Sequence, residues 1–399
     1  MTTFLDERIH DQIAHAYANS PATRARLDAA GVAADAIRGV AELAQIPVLP
    51  KDALVGLQQA APPFGGLLAV PLAEIRHIFL SPGPLYEPDA GHDPSILAMA
   101  QEALRRSGFA AGDVVLNTLS YHLVPAGALL DEALTGLGCT VVPGGVGNTE
   151  LQVKLLADLP ITGYVGTPSF LLTLLQKGGE MGAAVKLAKA LCTAEPLFPH
   201  IRQQIVERGI AVGNAYATAE LGFLALNTDG GREMRLLPEP VVQVVDPENG
   251  GEVAPGTPGE VVVTNFNRAY PLIRIGTGDM AILLDPQPGS SRQEGRAIIL
   301  IGRSGEAKKV RGMFVHPNQL RFAVGQLLPG VTVQGAVSHD GEGKDFFVVR
   351  VAADDKGSGE AIAQAVRQVS RLRVDRVEFV GAGGLEPSVP GMVDERKWG

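Results

Sequence analysis

The sequence contains little cysteine and little tryptophan, with two cysteines and one tryptophan among 399 residues. Cys139 and Cys192 are too few for the disulfide framework of a small secreted domain, or for a four-ligand zinc site. Both lie in apolar stretches and are predicted to be small buried core residues. The cysteine content therefore predicts a protein of a reducing compartment, the cytoplasm.

Basic charge and long apolar runs are also scarce. Lys and Arg number 34 against 43 Asp and Glu, a formal net charge of −9, which disfavours nucleic acid as a partner because neutralising phosphates requires a basic surface. No uncharged apolar run reaches the roughly 18–20 residues that a membrane helix needs. The segment Met1–Arg8 lacks the basic and apolar regions of a signal peptide. We therefore expect neither a membrane nor a nucleic-acid partner.

Hydrophobic residues, by contrast, make up 46% of the chain, enough for a large core in two or three domains. Between residues 114 and 208, short apolar runs alternate with segments of helical periodicity. This rhythm predicts an α/β fold with a parallel sheet covered by helices. After residue 235 the strands are separated by turns, which predicts an antiparallel subregion.

A domain boundary is indicated at Gly302-Arg303-Ser304-Gly305, where small residues could form a hinge or a plain linker. The residues beyond it predict a small α+β unit. The predicted domains are therefore 1–302 and 303–399.

Several motifs of common enzyme classes are missing. The chain has no Gly-x-Ser-x-Gly nucleophile elbow, no phosphate-binding Gly-x-x-x-x-Gly-Lys-Ser/Thr loop and no His-Glu-x-x-His metal motif. The glycines in 144–150 lack the Gly-x-Gly-x-x-Gly spacing of a dinucleotide site and predict a tight turn between a strand and a helix.

Three weaker patterns remain. Tyr216, Thr218 and Glu220 place a flat ring, a hydroxyl and a carboxylate together, which suits stacking, phosphate contact and Mg²⁺ binding; an ordinary helix start with a capping threonine is the alternative. Asp279 follows two glycines and could accept hydrogen bonds from ribose hydroxyls, or it could be a turn aspartate. The cations of 309–311 lie near the boundary, where solvated charges are the alternative.

Considered together, these segments resemble the adenylate-forming superfamily, most closely the phenylacetate-CoA ligase family. The most specific match is 302–317, which contains Lys309-Val310-Arg311-Gly312-Met313-Phe314-Val315. Further matches are found in the segments 14–17, 46–52, 147–150, 167–169, 194–197, 216–220 and 271–274. The resemblance covers nearly the whole chain.

The resemblance implies a large N-terminal AMP-binding domain and a small mobile C-terminal domain. It implies an acid–thiol ligase that uses ATP, Mg²⁺ and coenzyme A. A carboxylic acid, by family an aromatic one, would be converted to an acyl-adenylate and then to a CoA thioester. A homodimer is compatible with the family.

The resemblance also implies roles for individual residues. The nucleotide would contact Ser81, Gly83, Glu195, Pro196, Asn214, Tyr216 (stacked on adenine), Thr218 (α-phosphate), Asp279 (ribose) and Arg303. The acid pocket would include Tyr121, His122, Val124, Ala194 and Ala217. Glu220 would bind Mg²⁺, rotation of the small domain would bring Lys309 toward the CoA channel, and Arg311 and Gly312 would contact CoA. Glu220, Arg303 and Lys309 are the predicted catalytic residues.

The sequence departs from the family at three places. The phosphate loop, Ser-Ser-Gly-Thr-Thr-Gly-Lys-Pro in the family, is replaced by 80–88, with Glu87 at the lysine position. The acidic residue that the family has at the hinge is replaced by Gly305. The family's C-terminal lysine is also missing, and Gly391 or Met392 stands in its place. Loss of such a cation typically slows a reaction by about two to three decades. Two alternatives therefore stay open, a non-catalytic relative that binds AMP or acyl-CoA, and an acyltransferase that uses only the second half-reaction.

Overall fold

A computed structural model describes most of the chain. The described residues are 4–81, 84–91, 93–303, 308–311, 313–315, 317–354, 358–370, 372–386 and 388–396. They form two compact units, Met1–Gly302 and Arg303–Gly399.

The helices and strands follow one another in chain order. The helices are α1 (Phe4–Asn19), α2 (Pro21–Ala29), α3 (Lys51–Ala60), α4 (Pro94–Arg106), α5 (Ala126–Gly136), α6 (Thr149–Asp158), α7 (Pro168–Glu180), α8 (Pro199–Val206), α9 (Pro317–Gly325) and α10 (Gly359–Ser370). The strands are β1 (Leu49–Pro50), β2 (His77–Ser81), β3 (Leu85–Asp89), β4 (Val114–Asn117), β5 (Thr140–Pro143), β6 (Gly163–Gly166), β7 (Lys189–Cys192), β8 (Ala211–Thr218), β9 (Gly222–Asn227), β10 (Met234–Leu236), β11 (Val241–Val245), β12 (Pro258–Thr264), β13 (Ile275–Leu284), β14 (Ala297–Arg303), β15 (Lys308–Val310), β16 (Met313–Val315), β17 (Val333–His339), β18 (Asp345–Val351), β19 (Arg376–Phe379) and β20 (Met392–Asp394). Short 3₁₀ helices lie at Ala34–Ala36, Ala41–Gln45, Leu72–Glu74 and Gln293–Gly295.

The centre of the first unit is one long mixed sheet, in the order β11-β12-β13-β14-β10-β9-β8-β7-β6-β4-β5. Strands β5, β4, β6, β7 and β8 pair in parallel. Apolar helix faces pack against this part of the sheet in two buried clusters, since β4, β5, β6 and β7 are each followed by a crossover helix. The predicted α/β class is confirmed.

The antiparallel part begins earlier along the chain than the sequence predicts. Strand β9 already runs antiparallel to β8, and β10 to β9. The segment 216–220 therefore ends a strand and enters a turn, so the helix start with a capping threonine is wrong. The reason is that β9 is apolar and buried along its whole length, as a central strand requires.

Two other local expectations differ from the structure. Residues 85–89, expected within a loop, form strand β3, which pairs with β2 as an antiparallel hairpin. Asp279, expected at the end of a strand, lies inside β13 because this ten-residue strand begins only at Ile275. Pro82 and Gly83 lie outside the described residues.

In the second unit, β15 pairs with β16, and a separate sheet has the order β19-β18-β17-β20. Helices α9 and α10 contribute to a core of buried aliphatic side chains with Phe347 on this sheet. The unit is an α+β structure, as the sequence predicts.

Candidate active site

The predicted site residues of the first unit converge on one edge of the sheet. Parallel strands β4, β7 and β8 end there, and the following loops carry 120–125, 194–196 and 219–221. Ligands of open parallel sheets bind at this edge, in the crevice formed by the loops that follow the carboxyl ends of the strands. The topology thus brings together segments far apart in the sequence.

Glu220 forms an ion pair with a lysine that sequence reasoning had not assigned to the site. Its Oε1 lies 2.7 Å from Nζ of Lys51, the first residue of α3, and the two side chains are 3% and 15% exposed. Burial opposes ionisation of Glu220, but the Lys51 ammonium and the Thr218 hydroxyl outweigh it and hold the pKa of Glu220 below its usual value. Glu220 is therefore a buried, ionised carboxylate.

Glu87 lies beside this pair. Its side chain is buried, and neither carboxylate oxygen accepts a hydrogen bond from the part of the chain that the structure describes. Burial, and then repulsion from Glu220, raise the pKa of Glu87 to about 7, while Ser81 and Lys51 oppose the rise. Two carboxylates thus share the single positive charge of Lys51, and Glu87 is about half protonated at pH 7.

Gln58 of α3 fixes the strand that carries Glu87. Its side-chain amide donates to the carbonyl of Tyr86 at 2.8 Å and accepts from the Tyr86 N–H, also at 2.8 Å. The same amide nitrogen donates to the Tyr270 hydroxyl at 3.2 Å. Burial, together with Glu87 and Glu220, raises the pKa of Tyr270 to about 12, so this phenol stays protonated. Glu87 is therefore held in place by its neighbours in the chain.

Tyr216 and Asp279 meet across the sheet. The Tyr216 hydroxyl donates to Oδ2 of Asp279 at 2.7 Å, and its ring is only 8% exposed. Nearby, Oε1 of Glu260 accepts from the N–H of Gly278 at 3.0 Å, while burial, Asp279 and Asp52 raise the pKa of Glu260. Tyr216 thereby orients the carboxylate predicted to bind ribose.

Glu195 contacts a helix start. Its Oε1 accepts from the backbone N–H of Ser169, at the beginning of α7, at 2.6 Å. Ala194 has a positive φ of 72°, which is unusual for a residue with a Cβ and marks a constrained loop. The helix contact fixes the loop of Ala194, Glu195 and Pro196 at the sheet edge.

The predicted acid-pocket segment is anchored at Tyr121. Its hydroxyl donates to Asp131 at 2.8 Å and accepts from Asn117 at 2.8 Å, and burial, then Asp131, raise its pKa well above the usual value. His122 is exposed and Val124 half-buried. The loop also contacts β2, since Leu80 N–H donates to the carbonyl of residue 123 at 2.6 Å.

The other predicted residues of the first unit occupy strands. Ser81 ends β2 and is buried, with its hydroxyl next to Glu87. Asn214, Ala217 and Thr218 lie on β8 and are half-buried. Their backbone positions are set by the pairing of β8 with β7 and β9.

In the second unit, Arg311 serves a structural role. Its guanidinium forms an ion pair with Asp375 and donates to the carbonyl of Arg373 at 2.9 Å. Its N–H donates to Asp345 at 2.7 Å. Gly312 and the side chains of Arg303 and Lys309 lie outside the described residues, so their roles remain predictions.

The position of the missing C-terminal lysine is structurally closed. Met392 is 1% exposed in the core of the second unit. A Cβ on Gly391 would lie 2.5 Å from Cβ of Pro317. A Cβ at position 391 would therefore require Pro317 to shift, and a lysine at position 392 would bury its charge in an apolar core.

Arrangements of other kinds are not found in the described ranges. No group of three or more His, Cys, Asp or Glu side chains there could hold a metal ion, and no helix among those residues is long and apolar enough to cross a membrane. An open groove of about 570 Å³ is lined by α6 and by residues 181–184, which follow α7, and it is lined by none of the predicted site residues.

Replacing Glu87 by glutamine should change how stability depends on pH. The folded protein holds a proton on Glu87 up to about pH 7, against a usual pKa of 4.5, so wild-type stability should fall as pH rises through this window. This difference in pKa between the folded and unfolded states corresponds to at most about 3 kcal/mol of unfolding free energy. Above pH 7, Glu87→Gln should be more stable than wild type by up to this amount.

Thermal unfolding of both proteins between pH 5 and pH 8 tests this expectation. Glu150→Gln is the control, because that side chain is 78% exposed. Parallel pH curves for wild type and Glu87→Gln would contradict it.

Comparison with known proteins identifies the family. A model of AMP-binding enzymes matches residues 92–268. The phenylacetate-coenzyme A ligase of Thermus thermophilus is 31% identical over 345 residues, which cover 81% of this chain and 76% of the relative. The enzyme of the same name from Aromatoleum evansii is 28% identical over 394 residues, 94% of this chain and 87% of the relative.

Solved structures agree in fold. A 2-hydroxyisobutyryl-CoA ligase, in complex with 2-HIB-AMP and CoA, superposes with a TM-score of 0.85 at 21% identity, covering 98% of this chain and 89% of that one. An amide bond synthetase from Marinactinospora thermotolerans gives 0.61 at 17% identity, covering 96% and 81%. Given the identity and coverage of the curated relatives, the chain belongs to the phenylacetate-coenzyme A ligase family of AMP-binding enzymes.

Proposed function

We propose that the protein is an ATP-dependent acid–thiol ligase that converts a carboxylic acid to an acyl-adenylate and then to its CoA thioester. The observation that carries the proposal is the pair of linked contacts at the sheet edge. Glu220 is held ionised by Lys51, and Asp279 is oriented by Tyr216. Tyr216 and Glu220 lie in the segment that matches AMP-binding enzymes, and the family resemblance assigns Tyr216, Glu220 and Asp279 to the nucleotide site.

The nucleoside would be held by Tyr216, Asp279 and the loop of Glu195 and Pro196. The Tyr216 hydroxyl uses one of about four lone-pair positions on the Asp279 carboxylate and so orients it toward ribose hydroxyls. The Tyr216 ring is mostly buried, and its small exposed part would form one wall of the pocket for the base. Asn214, Thr218 and Ser81 would contribute polar contacts around this site.

Adenylation requires a carboxylate to approach a polyanion, so its barrier is dominated by charge repulsion and positioning. Lys51 supplies positive charge among the described residues of this site. The acid would enter between the loop of Tyr121, His122 and Val124 and the small residues Ala194 and Ala217. Substrates of relatives named phenylacetate-coenzyme A ligase make an aromatic acid the first candidate.

Mg²⁺ fits the residues present. Ionised Glu220 and the unpartnered oxygens of Glu87 are hard, anionic oxygen donors, and Mg²⁺ is usually bound by one or two carboxylates together with substrate phosphates. When bound, Mg²⁺ would neutralise phosphate charge. Glu220 would be the residue that holds it.

The second unit would complete the reaction in this proposal. Arg303 and Lys309 would act on the nucleotide and the thioester step, and Arg311 and Gly312 would contact coenzyme A. Arg311 retains partial exposure, at 31%, despite its ion pair with Asp375. A homodimer and a cytoplasmic location remain predictions.

A second candidate function has its own support. By the family resemblance, Glu87 places a carboxyl group with a pKa of about 7 where the family has a cation. The C-terminal lysine is replaced by Gly391, where a Cβ would lie 2.5 Å from Cβ of Pro317, or by Met392, which is buried in the core. Both features weaken adenylation from ATP. They favour a relative that binds AMP or acyl-CoA without full turnover, or one that performs only acyl transfer from a ready-made adenylate.

Product analysis separates these functions. The purified protein is incubated with ATP, Mg²⁺, CoA and a panel of aromatic and aliphatic acids, and AMP and CoA thioesters are measured by mass spectrometry. A ligase produces both in equal amounts. Thioester formed only from synthetic acyl-adenylate indicates the second half-reaction alone, and no product from either source indicates a binding protein.

Removing the Asp279 carboxylate should weaken AMP binding by about 10- to 100-fold, since hydrogen bonds to a charged group contribute about 1.5–3 kcal/mol. Tyr216→Phe, which removes only the orienting hydroxyl, should weaken it by less than 10-fold. Calorimetric titration of AMP into Asp279→Ala measures the effect. Asp285→Ala, just beyond the other end of β13, is the matched control, and equal AMP affinity in the two alanine variants would refute the assigned role.

A further inference from the structure

The acidic pair beside Lys51 is short of positive charge. Glu87 and Glu220 are each 8% exposed, and Lys51 Nζ lies 2.7 Å from Glu220 Oε1. Both oxygens of Glu87 and the hydroxyl of Ser81 are buried without a hydrogen bond to the described part of the chain. Burying an ionised carboxylate without donors is costly, and a bound cation would remove that cost.

The donor set suits one class of cation. Carboxylate and hydroxyl oxygens are hard ligands of the kind that Mg²⁺ and Mn²⁺ prefer, and the described residues here include no thiolate or imidazole that would favour zinc. Two carboxylates leave most of an octahedral shell open. The protein's own ligands are therefore incomplete, and phosphate oxygens or water would fill the remaining positions.

The net charge of this cluster also favours a bound divalent cation. With both carboxylates ionised, Lys51 leaves a net negative charge where a triphosphate has to bind. Glu87 stands at the position of the family's loop lysine, so this chain cannot attract phosphate there directly. A divalent ion between the carboxylates and the phosphates reverses the sign of the local charge.

We propose that Glu87 and Glu220 together ligate a divalent cation, so that this protein contacts the nucleotide phosphates at position 87 through a metal ion instead of through a lysine. Glu87 is a ligand in this arrangement, and Lys51 moves from Glu220 toward the phosphates or stays as its outer partner. The inference rests on the proposed function, because it adds a ligand to the same nucleotide site. It predicts that ATP binding depends more steeply on the metal than AMP binding does.

Mn²⁺ is the probe, because electron paramagnetic resonance reports free and bound Mn²⁺ without any turnover. Wild type, Glu87→Gln and Glu87→Asp are titrated with Mn²⁺ alone and with ATP held below the protein concentration, and the Mn²⁺ bound by the same ATP without protein is subtracted. We expect Glu87→Gln to weaken Mn²⁺ binding in the ATP complex by on the order of 10-fold or more, and Glu87→Asp to restore part of it. Glu260→Gln is the matched control, since it removes another partly buried carboxylate at this end of the sheet, and it should leave Mn²⁺ affinity within about twofold.

The outcomes separate this inference from the proposed function. Equal Mn²⁺ affinity in wild type and Glu87→Gln overturns the inference, even where the protein makes CoA thioester. Absence of Mn²⁺ binding in wild type with ATP overturns it as well. Mn²⁺ binding that depends on Glu87, in a protein that forms no thioester, supports the metal site and refutes the ligase function. Thermal unfolding of each variant verifies that it is folded, and the Glu87→Asp result distinguishes a lost ligand from a misfolded site.

Discussion

Lys51→Met should destabilise the first unit by about 3–5 kcal/mol at pH 8, because removing one partner of a buried ion pair leaves the other charge unpaired. Here the cation serves two carboxylates. Glu220 is 3% exposed in the pair, and Glu87 lies in the same buried cluster. Among the described residues, Glu87 and Glu220 would then be two mutually repelling carboxylates that have lost the ammonium beside them.

The destabilisation caused by Lys51→Met should depend on pH. Since the pKa of Glu87 is raised to about 7, its carboxyl group is mostly protonated at pH 5, and repulsion from Glu220 is then weaker. The destabilisation by Lys51→Met should accordingly be smaller at pH 5 than at pH 8. The double variant Lys51→Met/Glu87→Gln should recover about 1–3 kcal/mol relative to additivity.

Urea unfolding followed by hydrogen exchange on peptides of the first unit measures these free energies unit by unit. Such localisation matters because a chain of two units need not unfold in a single transition. Lys154→Met, a substitution on a helix surface where the lysine is 65% exposed, should change stability by less than about 0.5 kcal/mol. If the destabilisation by Lys51→Met did not change with pH, and the effects of Lys51→Met and Glu87→Gln were additive in the double variant, Lys51 would act by packing alone.

Arg274→Ala should lower the free energy of unfolding of the first unit by about 3–5 kcal/mol, for a different reason. Arg274 is 1% exposed, and its Nη1 donates to the carbonyls of Leu43 at 3.2 Å and Ile46 at 2.7 Å. Its Nη2 donates to the carbonyl of Gly250 at 2.5 Å. Without the guanidinium the buried carbonyl of Ile46 and the partly buried carbonyl of Gly250 lose this donor, while the Leu43 carbonyl keeps the Ile46 N–H at 2.9 Å. Each unsatisfied group costs about 1–3 kcal/mol, and the cavity left by the side chain adds to the loss.

Arg274→Lys should recover only part of this loss, because one ammonium group cannot replace a planar fork that reaches carbonyls from two separate loops. The family match at 271–274 is thereby explained as structural rather than catalytic. The same hydrogen-exchange measurement applies, with Arg292→Ala as control because that side chain is 88% exposed. Full stability of Arg274→Lys would show that charge alone is needed.

The sequence by itself determined the fold class and the types of residue at the site. Alternation of apolar strands and amphipathic helices predicts the parallel sheet, because periodicity follows directly from local backbone geometry. The motif around Tyr216 and Glu220, and the resemblance that it supports, named residues that the structure places at one edge of the sheet. Strand β3 was not predicted because the resemblance placed the family's phosphate loop at 80–88, where the structure has a strand from Leu85 to Asp89.

Only the tertiary structure decided which charges meet. Lys51 lies in a segment that resembled the family without an assigned role, and its contact with Glu220 joins α3 to the turn after β8. Likewise, Tyr216 and Asp279 are 63 residues apart, and three strands lie between β8 and β13 in the sheet order, so the two side chains meet only because the folded sheet bends. Burial sets whether Glu87 is charged, and burial depends on packing from several elements at once. No local pattern encodes it, so the charge state of the site becomes readable only in the folded chain.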